Sequence, residues 1–188
     1  MNTFELILYI SIIVIAVAYY MFQYQNFTYK TSRVDGMEYM VKNNHLAQES
    51  ADALGEINTR LVKLIDHVKT RRTPPGYLGR LSKYNPYSLN ENIWNIDTTY
   101  TVNKGQNMTF CLSPRHPETR VYEINILMYV AIHELAHVSS ISVGHTPEFL
   151  LNFKSLLGYA IEAGLYEYID YQKSPVEYCG LNITDSVL

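Results

Sequence analysis

The chain has 188 residues, 47% of them hydrophobic and 18% charged, with a formal net charge of −3. That balance excludes an intrinsically disordered protein, and the intermixed charges leave no basic face or stripe of the kind that nucleic-acid binding needs. The length allows one ordinary domain plus an appendage.

The appendage is at the N-terminus, over residues 1–30. From Leu6 to Phe22 the sequence LILYISIIVIAVAYYMF has no charge, and the uncharged stretch continues through QYQNFTY to Tyr29. At ~1.5 Å per residue the first part alone nearly spans the ~30 Å hydrocarbon core. Tyr19, Tyr20, Phe22 and Tyr24 suit the interfacial belt. The expectation is a single-pass anchor that meets lipid through residues 6–29. A cleaved signal peptide is the rival: Ala16 to Ala18 offer small residues, but the leading MNTFE has no Lys or Arg. Lys30, Arg33 and Lys42 follow the span while only Glu5 precedes it, which places the C-terminal body in the cytosol. Sequons at Asn26, Asn107 and Asn182 stand against that placement, since they matter only on the lumenal side.

Residues 31–188 are expected to form one α+β domain with a helical N-terminal part over 31–72. Met40, Ala47, Leu54, Leu61 and Val68 recur every seven residues, with Ile57 and Leu64 between them. This stripe predicts one or two amphipathic helices from about Asp35 to Lys69. A coiled coil forming a homo-oligomer through residues 40–68 is the sharper reading. The stripe is strong over only two heptads and contains Gly55, which favours a helix packed on its own domain. Pro74 and Pro75 end the helical pattern, and an irregular stretch follows to about Asn92.

The catalytic core is expected over residues 92–183. TTYTV (Thr98 to Val102) and NMTFCL (Asn107 to Leu112) predict a hairpin across a four-residue loop containing Gly105. The second strand is expected to offer an edge to an extended substrate. A long helix is predicted from about Glu118, and the run Val121 to Val143 is apolar on nearly all sides, so that helix is buried.

Burial gives His133, Glu134 and His137 their interest, because buried ionisable groups must be paired or bind metal. The two histidines are four apart, so their rings stand one turn apart on one face and can reach one Zn²⁺. Glu134 can lean over a metal-bound water without ligating the metal. His145 is the expected third ligand: Gly144 ends the helix, Thr146 caps the next with Pro147 in its first turn, and that helix runs back to about Tyr168. Glu162 is the competitor but falls ~9 Å too far along the returning helix. Three protein ligands leave the fourth zinc position open, as catalytic sites do; a structural site would recruit Cys111 or Cys179. Tyr159, Tyr166 and Tyr178 are candidate oxyanion donors.

HELAH, followed by GH and then EF, resembles the WLM and SprT-like zinc metallopeptidases, most strongly from His133 to Phe149. It is similar to small membrane-anchored versions of these domains predicted in large DNA viruses. The resemblance implies a minimal zincin-like core of hairpin, active-site helix and antiparallel second helix. It also implies zinc held by His133, His137 and His145, with Glu134 as catalytic base and acid on a protein or peptide substrate. The membrane span and the lack of a basic segment depart from the better-known relatives that act on DNA-bound proteins. The alternative is a membrane-anchored assembly protein, for example of a virion, that keeps the fold and cleaves nothing.

Overall fold

A computed structural model describes residues 2–73, 75–93, 98–115 and 117–188. Pro74, one of the two prolines expected to stop a helix, lies outside the described residues, as does the side chain of Tyr24. The first helix, α1 (Thr3–Tyr24), is solvent-exposed along its described length and is long and apolar enough to cross a membrane. Asn2 and Glu5 cap it reciprocally: each side chain accepts the other residue's backbone N–H, at 2.8 and 2.9 Å.

The remainder is α+β. Strands β1 (Phe27–Thr31), β2 (Glu38–Lys42), β3 (Leu89–Glu91), β4 (Tyr100–Val102) and β5 (Asn107–Phe110) form a mixed sheet in the order β1-β2-β3-β5-β4. The β1/β2 and β4/β5 pairs are antiparallel, and β3 runs parallel to both its neighbours. Helices α2 (Ala47–Lys69), the short α3 (Leu78–Leu81), α4 (Ile124–Ser139) and α5 (Pro147–Glu162) pack with it, and a separate hairpin of β6 (Val176–Tyr178) and β7 (Leu181–Ile183) follows.

Several expectations are corrected here. The uncharged tail to Tyr29 is not all anchor, because Phe27, Thr28 and Tyr29 pair with Lys42, Val41 and Met40. Residues 38–42 are a strand rather than the start of an amphipathic helix: Tyr39 and Val41 turn into the core while Glu38 stays exposed. The irregular stretch before Asn92 contains β3. The expected substrate edge, β5, is an inner strand, and β4 is the edge. The long helix starts at Ile124 rather than near Glu118, since Tyr122 first pairs with the backbone of Leu112. The returning helix ends at Glu162, short of Tyr168.

The stripe of α2 is spent inside the domain. Leu54, Ile57, Leu61, Leu64 and Val68 have no solvent exposure, packed between the sheet and α4. At about 2 kcal/mol for each fully buried aliphatic side chain, this helix carries much of the core's stabilisation. A disulfide joins Cys111, just past β5, to Cys179 in the β6–β7 turn. Neither cysteine is therefore a thiolate ligand.

Candidate metal centre

Two elements carry the histidines, α4 and the loop after it, and ring contacts fix their arrangement. His133 and His137 stand on α4, half-buried and facing a cleft. After Ser139 the chain leaves the helix, and Gly144 with φ +83° makes the reversal in a conformation that side chains rarely adopt. Thr146 then caps α5, accepting the N–H of Phe149 at 3.3 Å, with Pro147 in the first turn as expected. Tyr129 meets Phe153, His133 meets Phe153 and Phe149, and His137 stacks on Phe149 at 4.3 Å. The descending partners on α5 against ascending positions on α4 show that the two helices are antiparallel. Phe149 is 1% exposed and its ring touches all three imidazoles, so the aromatic of the EF pair is the packing floor of the cluster.

The ligand atoms of His133, His137 and His145 all lie within 4.8 Å of one another, and Nε2 of His145 is 3.0 Å from Nε2 of His133. A tetrahedral zinc at ~2.0–2.1 Å from each nitrogen requires separations of about 3.3 Å. The donor set fits as well. Burial first, then His137 and His145, lowers the pKa of His133 to about 3. Burial, His145 and Lys104 lower that of His137 to about 4. Both imidazoles are therefore neutral at pH 7, the form that ligates a metal.

Glu162, the competing ligand, is elsewhere. It closes α5 as an exposed carboxylate paired with Arg71 at 2.7 Å and with His67 at 3.5 Å. Glu134 is 5% exposed, no described residue hydrogen-bonds its carboxyl group, and burial raises its pKa to about 7. It faces the same cleft as the histidines, a hollow of about 840 Å³. The cleft floor is Tyr129, Val130 and the face of α4 that carries His133 and His137; one wall is β4 and the turn after it, and the other is Tyr178 with residues 181–185. Tyr129 ties the latter wall down by donating to the carbonyl of Asp185 at 3.1 Å.

The three tyrosines proposed as oxyanion donors separate. Arg71 sits over the Tyr159 ring at 4.6 Å, and Tyr166 packs near Tyr129, both away from the cleft lining. Tyr178 does line the cleft, but its hydroxyl is engaged. It donates to the carbonyl of Cys111 at 2.7 Å, so Thr99 Oγ1, 2.6 Å away, donates to it. Thr99 Oγ1 in turn accepts the N–H of Cys111 at 3.1 Å, closing a ring of three hydrogen bonds. The sequence reading missed Lys104 and the C-terminal wall. Neither belongs to a short motif; both reach the site through pairings distant in sequence.

No family model matches the chain, and no solved structure matches it. The chain is similar to "Uncharacterized protein R325" of Acanthamoeba polyphaga mimivirus, 32% identical over 173 residues that cover 86% of this chain and 84% of the other. It is similar to "Uncharacterized protein 136R" of Invertebrate iridescent virus 6, 29% identical over 150 residues, or 74% of this chain and 82% of that protein. "Uncharacterized protein 042R" of Invertebrate iridescent virus 3 is 36% identical over 107 residues, 55% of this chain and 64% of its own length. The expected likeness to proteins of large DNA viruses is found. The likeness to WLM and SprT-like domains rests on the residues from His133 to Phe149 alone.

Proposed function

We propose that this chain, which belongs to the same family as the mimivirus protein and has relatives in two invertebrate iridescent viruses, is a membrane-anchored zinc endopeptidase. One observation carries the reading: three histidine ligand atoms lie within 4.8 Å of each other, beside a buried carboxyl group that no described residue hydrogen-bonds. A structural role for Glu134 would call for a partner, because an unpaired buried carboxyl group is costly. A catalytic role explains its lack of one.

His133, His137 and His145 would hold the zinc, which when bound supplies Lewis acidity and an acidified water. Glu134 takes the proton of the attacking water on its carboxylate and returns it to the leaving amine. Burial moves its pKa close to neutrality, where one group can accept and donate a proton with comparable ease. The edge of β4 binds the substrate: alternate residues of an edge strand turn free N–H and C=O groups outwards, and an extended peptide pairs with them. Tyr129, Val130, Leu181 and Ile183 give the cleft an apolar lining for side chains and limit water beside Glu134.

The exposed α1 supports an anchor that keeps the enzyme at a membrane. Two features pull its orientation in opposite directions. The basic residues after the span favour the cytosol, whereas the Cys111–Cys179 bond favours an oxidising side.

The test is zinc content of the full chain in detergent micelles, wild type beside His145→Ala, after dialysis. About one zinc per chain in wild type and a large loss in the variant support the three-histidine site. A folded wild type without zinc overturns the reading and leaves the non-catalytic assembly protein.

A further inference from the structure

We infer that Lys104 and Glu148 are positioning residues that clamp the His145 loop from both sides and so set how tightly the third ligand holds the metal. This rests on the zinc-site reading above and goes beyond it, since neither residue belongs to the histidine motif or to the acid–base step.

The loop between α4 and α5 hangs on Ser142, three residues before His145. Glu148 holds one side: its Oε1 accepts the N–H of Ile141 at 2.9 Å, and its Oε2 accepts the N–H and the hydroxyl of Ser142 at 3.0 and 2.7 Å. Because the Ser142 hydroxyl donates to the carboxylate, the contact between Ser142 Oγ and Thr146 Oγ1 at 2.6 Å has Thr146 as donor. The helix cap is thus wired into the same group. Arg80 backs Glu148 at 3.4 Å and also donates to the carbonyl of Ser139, where α4 ends. Those backbone amides hold the Glu148 carboxyl group at a pKa of about 2, so it is ionised at any working pH.

Lys104 holds the other side. Its Nζ donates to the carbonyl of Ser142 at 2.6 Å, reaching across from the β4–β5 turn. That turn is itself fixed. Asn103, Lys104 and Gly105 all have positive φ, and a Cβ on Gly105 would lie 3.0 Å from the Val138 side chain and 3.1 Å from the carbonyl of Lys83. Val138 directly follows His137, so the turn is seated against the helix that carries the first two ligands. A non-glycine residue held at φ +55° costs energy that its surroundings must offset. The hydrogen bond from Lys104 to Ser142 helps to offset it. Both backbone groups and the side chain of Ser142 are therefore held, and His145 follows after one glycine turn. Exposed and on a loop, His145 would otherwise lose conformational freedom on ligating the metal.

The test uses the full chain in detergent micelles and measures zinc affinity by chelator competition for wild type, Glu148→Gln, Lys104→Met and Lys104→Arg. Each variant is also combined with His145→Ala. Glu148→Gln and Lys104→Met should weaken zinc binding roughly ten- to a hundredfold, the usual effect of removing a group that orients a ligand. Lys104→Arg, which keeps the donor, should restore most of the loss. On the His145→Ala background the clamp substitutions should cause no further loss, because the residue they position is gone and Lys104 otherwise only adds positive charge near His137. Zinc binding unchanged in both clamp variants overturns the inference and leaves the metal site standing. An equal further loss without His145 overturns it too, since that would mean general weakening of the fold. A wild type that binds no zinc overturns the site reading itself. If Glu148→Gln fails to fold, Lys104→Met decides.

Discussion

On one side of the cleft, the loop bearing His145 is held by hydrogen bonds and ion pairs gathered on Ser142 and Glu148. On the other side, the β6–β7 hairpin is held by a covalent bond to the end of β5 and by the Tyr178–Thr99–Cys111 ring. The difference follows from what each wall sits on. The histidine side grows out of two long antiparallel helices whose packing already places His133 and His137, so polar contacts suffice to trim a short loop. The far wall is a two-stranded hairpin outside the main sheet, and such a unit is marginal in water without a staple. Damage to the first wall should therefore show as lost metal or chemistry, and damage to the second as lost stability.

The largest effect is expected at the histidine side. Glu134→Gln should cut peptide hydrolysis by roughly 10²- to 10⁴-fold, the range for losing a general base, while zinc per chain stays at the wild-type value. Turnover within a few-fold of wild type would remove Glu134 from the mechanism. Next comes the covalent wall. Replacing both Cys111 and Cys179 by Ser opens a loop of 68 residues' separation, which on chain-entropy grounds costs about 4 kcal/mol. Urea unfolding should show that loss with zinc stoichiometry unchanged. If zinc is lost in the folded double variant, the two walls are not independent and the comparison fails.

A smaller effect is expected for Tyr178→Phe, which keeps the ring and leaves a buried carbonyl without its donor. About 1–3 kcal/mol is the usual cost of such an orphan, again without change in metal affinity. A fall in zinc binding here would show that Tyr178 acts on the site rather than on its wall.

The mildest test is pH, on the metal-free chain. His133 and His137 are held below their ordinary 6.5, so the unfolded chain takes up protons first. Their stability contribution is complete above about 6.5 and is lost as pH falls towards the folded values. Glu134 runs the other way: with its pKa raised from 4.5 to about 7, it costs nothing below 4.5, and the penalty grows until pH passes about 7. The two histidines outweigh the one carboxyl group, so urea midpoints should rise with pH and level off near 7, and Glu134→Gln should steepen the rise between about 4.5 and 7. An unchanged slope in that variant would contradict the assignment.

Much of the histidine side was legible in the sequence because its signals are local. HELAH on an apolar run, Gly144, the Thr146–Pro147 cap and Phe149 all act within a short stretch of chain, and the structure arranges them as that spacing requires. The β4–β5 hairpin was legible for the same reason. Rise per residue set His145 apart from Glu162, and in the structure His145 lies with His133 and His137 while Glu162 pairs with Arg71. The sheet was less legible. EYMVK over residues 38–42 looked helical because Met40 and Ala47 continue a seven-residue spacing, and five residues are too few for alternation to overrule it. β1 was hidden in the apolar tail of the anchor, and β3 is three residues long with partners on strands far away in sequence.

By itself the sequence determined an apolar N-terminal helix, an α+β body, two histidines and a glutamate on one helix, and a third histidine in the turn that follows it. Each of those depends on periodicity and capping, which neighbouring residues decide among themselves. Only the tertiary structure decided that β4 is the open edge, that Cys111 meets Cys179, that Tyr178 is spent on holding a wall, and that Lys104 and Glu148 grip the same serine. Those contacts join residues separated by up to 68 positions, and no local pattern records them, because they exist only once the core has closed.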